Sequence, residues 1–170
     1  PSADFIKMVL QVCPDQCTLV PDSPDQLTSD HGWDLVENRA TLLRVLSELR
    51  EKDIRSSLFL DPDPQMLEQV PSVGADRIEL YTEDYASHFA SSEQDAVFER
   101  YRITAQRAEQ LGIGLNAGHD LDLQNLPKFL EIPNILEVSI GHALIVESLQ
   151  LGVAEVISRY LAIVDGSGIK

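Results

Sequence analysis

Five short apolar or β-branched runs, each followed by a longer amphipathic stretch, do most to restrict how this chain can fold. The runs cover residues 17–20, 56–60, 77–81, 114–117 and 136–140. Because they are nearly continuous in hydrophobicity rather than alternating, they predict strands that are covered on both faces, as in a parallel sheet. The regular alternation of strand and helix places the chain in the α/β class.

Helical patterns separate these strands, and one precedes them. They cover about residues 3–12, 34–51, 64–73, 93–111, 122–130 and 143–163. Gly74 and Gly112 stand just past helix ends, and Asp34 and Asp122 can cap helix starts. The predicted order is α-βα-βα-βα-βα-βα without linker or repeat, so we expect residues 1–170 to form a single domain. Five strands cannot close an eight-stranded barrel, so either the sheet is open or the opening of the barrel is absent.

Composition limits the partners of the chain. With 170 residues, of which 44% are hydrophobic, it can bury one sizeable core. The 28 acidic and 13 basic residues give a net charge of -15, which repels nucleic acid and anionic lipid. No apolar run approaches the roughly 18 residues of a spanning helix, and no basic-then-apolar leader opens the chain. We therefore expect a soluble, cytoplasmic protein that binds small molecules or other proteins.

All four histidines fall in segments that directly follow predicted strands. They are His31, His88, His119 and His142. In parallel α/β enzymes the chemistry lies at the carboxyl ends of the strands. We therefore predict that the five strands lie adjacent, parallel and in sequence order, with all four histidines at one end.

The first chemistry-bearing segment runs from Gly114 to Asp120. A strand that runs into Gly118 can turn sharply there and present His119 at the sheet edge. An imidazole at that position suits proton transfer at neutral pH. The alternative is a loop histidine that caps the next helix.

A strand that ends in Gly141 and passes directly into a helix offers free backbone N–H groups and the positive end of the helix dipole. Together they can bind phosphate without a cation. The post-strand segments, residues 22–33, 61–63, 82–92, 118–123 and 141–143, contain no Lys or Arg. An anionic ligand would therefore depend on these amides, on Thr28 or His142, or on cations from elsewhere. The alternative is a tight turn without a ligand.

Glu79 lies between two apolar neighbours in the third strand. An unpaired carboxylate there costs on the order of several kcal/mol. It either forms an ion pair with a residue such as Arg77 or Arg102, or it points into the axis of a barrel beneath an active site. Thr28, taken alone, is an ordinary turn or cap residue. The Asp61-Pro-Asp-Pro sequence resembles a metal ligand pair but indicates a turn and a helix start.

Five motifs occur in order along the chain: Cys17-Thr-Leu-Val-Pro21, Ser57-Leu-Phe-Leu-Asp61, Ile78-Glu-Leu-Tyr-Thr82 with Tyr85-Ala86, Leu115-Asn-Ala-Gly-His119 and Ser139-Ile-Gly-His142. Together they resemble one known family, the pyridoxine 5'-phosphate synthases of the deoxyxylulose-dependent vitamin B6 pathway. The resemblance implies a TIM (β/α)8 barrel of which this chain carries about five of the eight βα units and lacks the first three strands. It also implies a homo-oligomer of up to eight subunits.

The resembled family condenses 3-amino-2-oxopropyl phosphate with 1-deoxy-D-xylulose 5-phosphate and closes the pyridine ring, with no metal or organic cofactor implied. By this resemblance His119 is the proton donor, and Glu79 is a buried carboxylate that stabilises the transition state. The aminoketone phosphate would bind at Asp120, Gly141 and His142. Thr28 would contact 1-deoxy-D-xylulose 5-phosphate.

Two positions depart from the family pattern, because Asp120 and Glu83 stand where some relatives carry Gly. The backbone N–H of Asp120 could still bind phosphate if its carboxylate turned away. Relatives also begin with about three further βα units that carry arginines, a catalytic His and a catalytic Glu, so we expect this chain to be inactive alone. The competing interpretations are another phosphate-binding TIM-barrel aldolase or isomerase, which a Schiff-base lysine at a strand end would favour, and a non-catalytic structural fragment.

Overall fold

The computed structural model describes residues 1–23 and 25–168 and shows five strands in one parallel sheet. The strands are β1 (Gln16–Leu19), β2 (Arg55–Leu60), β3 (Arg77–Tyr81), β4 (Gly114–Gly118) and β5 (Ile135–Ser139). Each pairs in parallel with the next strand of the sequence. The predicted class, strand order and strand positions are confirmed, with boundaries that differ by about one residue.

Helices connect the strands. They are α1 (Ala3–Val12), α2 (Arg39–Arg50), α3 (Val70–Val73), α4 (Glu83–Ser87), α5 (Gln94–Gln110), α6 (Leu126–Phe129), α7 (His142–Leu151) and α8 (Val153–Ser167). All but α4, which lies in a segment predicted as a loop, overlap predicted helical stretches. A 3₁₀ turn, Met66–Gln69, precedes α3. None of these described helices is long and apolar enough to cross a membrane.

Four predicted helices differ from the structure. The helix predicted at 64–73 is a 3₁₀ turn, Met66–Gln69, followed by the four-residue helix α3. The helix predicted at 143–163 is two helices, because Gly152 adopts φ 88° and ψ 140° and interrupts the α conformation. The helices predicted from Asp34 and Asp122 begin later, at Arg39 and Leu126. Each aspartate instead caps a preceding turn, since its Oδ1 accepts two backbone N–H bonds.

One face of the sheet forms the hydrophobic core with the helices. Leu58, Leu60, Ile78, Leu80 and Leu115 on this face are at most 1% exposed. They pack into the same cluster as the buried sides of α2 and α5. Burial of each such side chain contributes about 1.5–3 kcal/mol, so this face supplies much of the stability of the domain.

The opposite face is only partly covered, so the prediction of strands buried on both faces is wrong for β1, β3 and β5. Alternate residues there are polar and only partly buried, including Thr18, Arg77 and Glu79. These side chains form hydrogen bonds and ion pairs with one another, and no apolar layer from the described part of the chain packs against them. Along β2 and β4 the prediction is correct, because nearly every residue is buried.

Hydrogen bonds across this polar face show that the sheet is strongly curved. Gln16 on β1 donates to Glu137 on β5 at 3.0 Å, although three strands lie between them. Neighbouring strands are about 4.8 Å apart, so β1 and β5 of a flat sheet would be about 19 Å apart, beyond the reach of these two side chains. The same carboxylate binds Arg77 at 2.8 Å and Asn116 at 3.1 Å. We call the side that carries these residues, together with Thr18 and Glu79, the concave face.

Candidate active site

The turn after β4 presents His119 at the carboxyl edge of the sheet. His119 and Asp120 both have positive φ, 88° and 54°, a conformation that costs non-glycine residues on the order of 1–3 kcal/mol each. The turn is held by Thr82, which is fully buried and whose hydroxyl donates to the backbone oxygens of Gly118 and His119. Backbone strain of this kind, supported by a buried hydroxyl, is typical of functional sites.

Both ring nitrogens of His119 have side-chain partners. Nε2 lies 2.9 Å from the hydroxyl of Thr28, and Nδ1 lies 2.8 Å from Oδ2 of Asp120. The ring also meets the edge of Tyr81, with centroids 5.2 Å apart. Asp122, not His119, caps the turn that follows, so the helix-capping alternative for His119 is wrong. Thr28 therefore contacts His119 in addition to lying in a turn.

Glu79 lies on the concave face behind His119. The hydroxyl of Thr18 donates to its Oε2 at 3.3 Å, and Ser139 forms a second side-chain hydrogen bond. A Cβ atom at Gly118 would lie 2.6 Å from Oε1 of Glu79, so only glycine allows the carboxylate to approach β4 this closely. These contacts bring together β1, β3, β4 and β5 around a single carboxyl group.

The ion-pair alternative for Glu79 is wrong. Arg77 binds Glu137 at 2.8 Å, and Arg102 binds Glu99, with Nε 2.7 Å from the carboxylate. Burial raises the pKa of Glu79 above its usual value, and Glu137 raises it further, whereas the hydrogen bonds from Thr18 and Ser139 and the nearby His119 lower it. Burial is the largest of these effects, so Glu79 holds a proton more readily than a glutamate in water.

Replacement of Glu79 by Gln is expected to stabilise the fold. Because the folded pKa is raised, the folded state binds more protons than the unfolded state above about pH 4.5, and stability falls as pH rises through the folded pKa. The amide avoids this loss, so we expect Tm at pH 7.5 to rise by about 2–4 °C and the difference to shrink near pH 4. Calorimetry across this pH range measures it. A variant less stable than the parent at pH 7.5 would contradict the assignment.

The second predicted segment, after β5, presents the start of α7. Gly141 is the N-cap residue, no side chain caps this helix, and a Cβ atom at Gly141 would meet nothing within 4 Å. No capping side chain in the described structure therefore competes with an anion for the first amides of this helix. Within the described residues no hydrogen bond links His142 to His119, Thr28 or Glu79.

Inorganic phosphate is expected to bind at the backbone N–H groups of Gly141 and His142. Crystals soaked in phosphate should show density there, because the helix dipole and the uncapped amides favour an anion. A helix of similar length that starts with its own cap provides the comparison: Ser2 caps α1 by accepting from Phe5. Density at α1 or elsewhere, with none at α7, would count against the site.

The other two histidines also follow the carboxyl ends of strands, as predicted, but they bind carboxylates of their own loops. His31 lies 2.5 Å from Asp30, next to Gly32, which packs on the end of β2. His88 lies 3.1 Å from Asp84 and 3.3 Å from Glu93. Neither reaches His119 in the described structure.

The sequence interpretation missed the side chains that hold the site together. Thr18 and Ser139 bond Glu79, and Tyr81 supports the ring of His119. Arg100 was missed as well: it reaches from α5 to Asp84 and lines a cleft of about 310 Å³ with Tyr81. The available signal was the alternation of polar residues in β1 and β3, which marks one face of each strand.

Comparison with known proteins identifies the family of this chain. The family described as "Pyridoxal phosphate biosynthesis protein PdxJ" matches residues 1–166, which include every candidate residue above. The chain belongs to this family. A relative in Christiangramia forsetii, named pyridoxine 5'-phosphate synthase, is 48% identical over 162 residues, or 95% of this chain and 68% of the relative.

Two further PdxJ-family relatives carry the same name. The protein of Bacteroides thetaiotaomicron is 49% identical over 161 residues, and that of Chelativorans sp. is 45% identical over 166 residues. This chain spans 68% and 67% of their lengths. Among solved structures, the Amycolatopsis orientalis BexX/CysO complex contains a chain that matches with a TM-score of 0.59 and 17% identity, over 95% of this chain and 62% of that chain. That likeness supports the α/β architecture of the PdxJ-family chain.

Proposed function

We propose that this protein is a pyridoxine 5'-phosphate synthase, which condenses 3-amino-2-oxopropyl phosphate with 1-deoxy-D-xylulose 5-phosphate. The observation that carries the proposal is the fixed ring of His119, held between Thr28 and Asp120 at the carboxyl edge, in a chain 48% identical to a relative of that name. Closing the pyridine ring releases water, and a leaving hydroxyl needs a proton. His119 is positioned to supply it.

Glu79 is the second group of the proposed mechanism. It lies on the concave face beside His119, and burial raises its pKa. A carboxylate fixed by Thr18 and Ser139 can stabilise positive charge that develops on the amine of the substrate, without reorganising as the reaction proceeds. The ionised form of Glu79 lowers the stability of the fold, as expected for a group that is kept for catalysis.

The substrates are proposed to bind through amides and hydroxyls. The backbone N–H groups of Asp120, Gly141 and His142 would hold the phosphate of the aminoketone, because two of them begin α7. Thr28 would contact 1-deoxy-D-xylulose 5-phosphate once its hydroxyl leaves Nε2 of His119. No cofactor or metal is part of the proposal.

The curvature of the sheet supports a closed TIM barrel as the fold of the complete enzyme, with residues 1–170 as one domain that supplies five βα units. The hydrogen bond from Gln16 to Glu137 shows β1 and β5 already curling toward each other. In a closed barrel the concave face becomes the interior, and polar side chains at its carboxyl end line the active site.

Exposed apolar side chains on α7 and α8 support further packing. They include Ile145, Leu149, Val153, Ile157 and Leu161, each more than 40% exposed. We propose that additional βα units or a second subunit cover them, in a cytoplasmic homo-oligomer of up to eight subunits. Contact with nucleic acid or membrane is not part of the proposal, since the net charge of -15 opposes it.

A Schiff-base aldolase is disfavoured by the placement of lysines. The described lysines, Lys7, Lys52 and Lys128, lie on α1, after α2 and on α6, away from the carboxyl ends of the strands. The concave face therefore offers no amine nucleophile in the described part of the chain.

An assay with the two substrates tests the proposed function. The full-length parent protein should form pyridoxine 5'-phosphate, detected by mass, together with inorganic phosphate in equal amount. The variant Gly141→Pro is the comparison. It lacks the backbone N–H at the start of α7 and should show a raised KM for the aminoketone phosphate. Absence of product with the folded parent protein would overturn the proposal.

A further inference from the structure

The side chain of Asp120, although 40% exposed, points at His119. Its Oδ2 lies 2.8 Å from Nδ1 of the ring. The backbone of Asp120 is fixed, because the side-chain amide of Asn125, a residue only 3% exposed, donates to its carbonyl at 3.0 Å. The left-handed φ of Asp120 then aims the carboxylate back along the chain, toward the preceding side chain.

A carboxylate at Nδ1 determines which ring nitrogen carries hydrogen. An ionised carboxylate only accepts, so Nδ1 must donate and the proton of the neutral ring lies on Nδ1. We infer that Asp120 is a positioning residue whose carboxylate fixes the tautomer and orientation of His119, so that Nε2 exchanges the proton with the substrate. This inference rests on the proposed function for its catalytic consequence, but the tautomer itself is a property of the free protein.

Thr28 completes the arrangement on the other side of the ring. Its hydroxyl lies 2.9 Å from Nε2 and can rotate. It donates when Nε2 is bare and accepts when Nε2 carries a proton, so Nε2 is satisfied in both states. Asp120, His119 and Thr28 thus form a chain of hydrogen bonds in which only the Thr28 end is replaceable by a substrate. Among the described residues, the ionisable side chains of Glu79 and Tyr81 on β3 also lie close to the ring.

Two parts of Asp120 therefore have separate tasks. Its backbone N–H is available for the phosphate under the proposed function, and its carboxylate is occupied by His119. This separation predicts that removing the carboxylate lowers kcat while the affinity for the aminoketone phosphate is retained.

The test uses full-length protein labelled with ¹⁵N-histidine, whose ring nitrogen shifts report the tautomer, with His119→Gln to assign the signals. In the parent we expect the Nδ1–H form of His119. In Asp120→Gly the acceptor is lost, and in Asp120→Asn the amide can donate to Nδ1, so both variants should show a mixture with the Nε2–H form. Glycine and asparagine both tolerate the left-handed backbone, which keeps the turn intact. Asp30→Asn is the matched control, since Asp30 binds Nδ1 of His31 in the same way and should leave His119 unchanged.

Kinetics provide the second measurement. Both Asp120 variants should lose about tenfold to hundredfold in kcat, the usual effect of removing an outer partner of a histidine, with KM for the aminoketone phosphate within about twofold. Unchanged tautomers in both variants would overturn the inference, and so would an unchanged kcat. A raised KM with a normal kcat would also overturn it, because Asp120 would then act on the phosphate alone. If the parent forms no product, the proposed function fails while the tautomer still decides the inference.

Discussion

Replacing His119 with Gln is expected to lower kcat/KM for pyridoxine 5'-phosphate formation by about 10²–10⁴-fold, the usual contribution of a positioned acid or base. Glutamine can keep a hydrogen bond to Thr28 but cannot transfer a proton. Steady-state assays of the full-length protein with both substrates measure the change. We expect the fold to survive, because the ring lies at the carboxyl edge of the sheet and is 22% exposed.

His88→Gln is the matched control for this prediction. It too follows the carboxyl end of a strand and binds a carboxylate, but its partners are Asp84 and Glu93. Its activity should equal that of the parent. A His119→Gln protein with more than about a fifth of parental activity would show that another group donates the proton.

A polypeptide of residues 1–170 alone is expected to form no detectable pyridoxine 5'-phosphate. Two dianionic substrates must be held together, and the post-strand segments carry no Lys or Arg to do so. Arg100, which reaches this end of the sheet, is paired with Asp84. Correct positioning of two reactants corresponds to an effective concentration of up to about 10⁵–10⁸ M. Without it, the residual rate should fall below detection.

The polypeptide of residues 1–170 should also self-associate or bind another fragment. The edge strands β1 and β5 and the apolar side of α7 and α8 would be uncovered, and we expect the polypeptide to aggregate or to bind a complementary fragment. The assay requires a sample whose mass is verified as 18.9 kDa. Turnover by that sample would show that these residues suffice, and the roles of His119 and Glu79 would need revision.

Strand positions were predictable because they depend on local sequence. The apolar runs that form β2 and β3 are bounded by polar residues, and their observed limits follow that pattern. Gly74 has φ 74° and ends α3, as its position past an apolar pattern predicts. The break at Gly152 was not predicted, because the residues on both sides of it are apolar and continue the helical pattern.

The candidate site was predictable in its members but not in its contacts. His119 and Glu79 could be selected from their places at or within strands. Their partners could not, because Thr18 is 61 residues from Glu79 and Thr28 is 91 residues from His119. Those contacts depend on the curvature of the sheet, which is a property of all five strands together. The direction of the Asp120 carboxylate likewise depends on a backbone φ that the sequence does not show.

A structure of the full-length protein with bound pyridoxine 5'-phosphate tests the central claim most directly. We predict that the product lies on the concave face at the carboxyl ends of β4 and β5, with its phosphate on the N–H groups of Gly141 and His142. Nε2 of His119 should bond the product in place of Thr28. Product bound only at the opposite end of the sheet, in the cleft of about 450 Å³ lined by Arg50 and Arg55, would contradict the account.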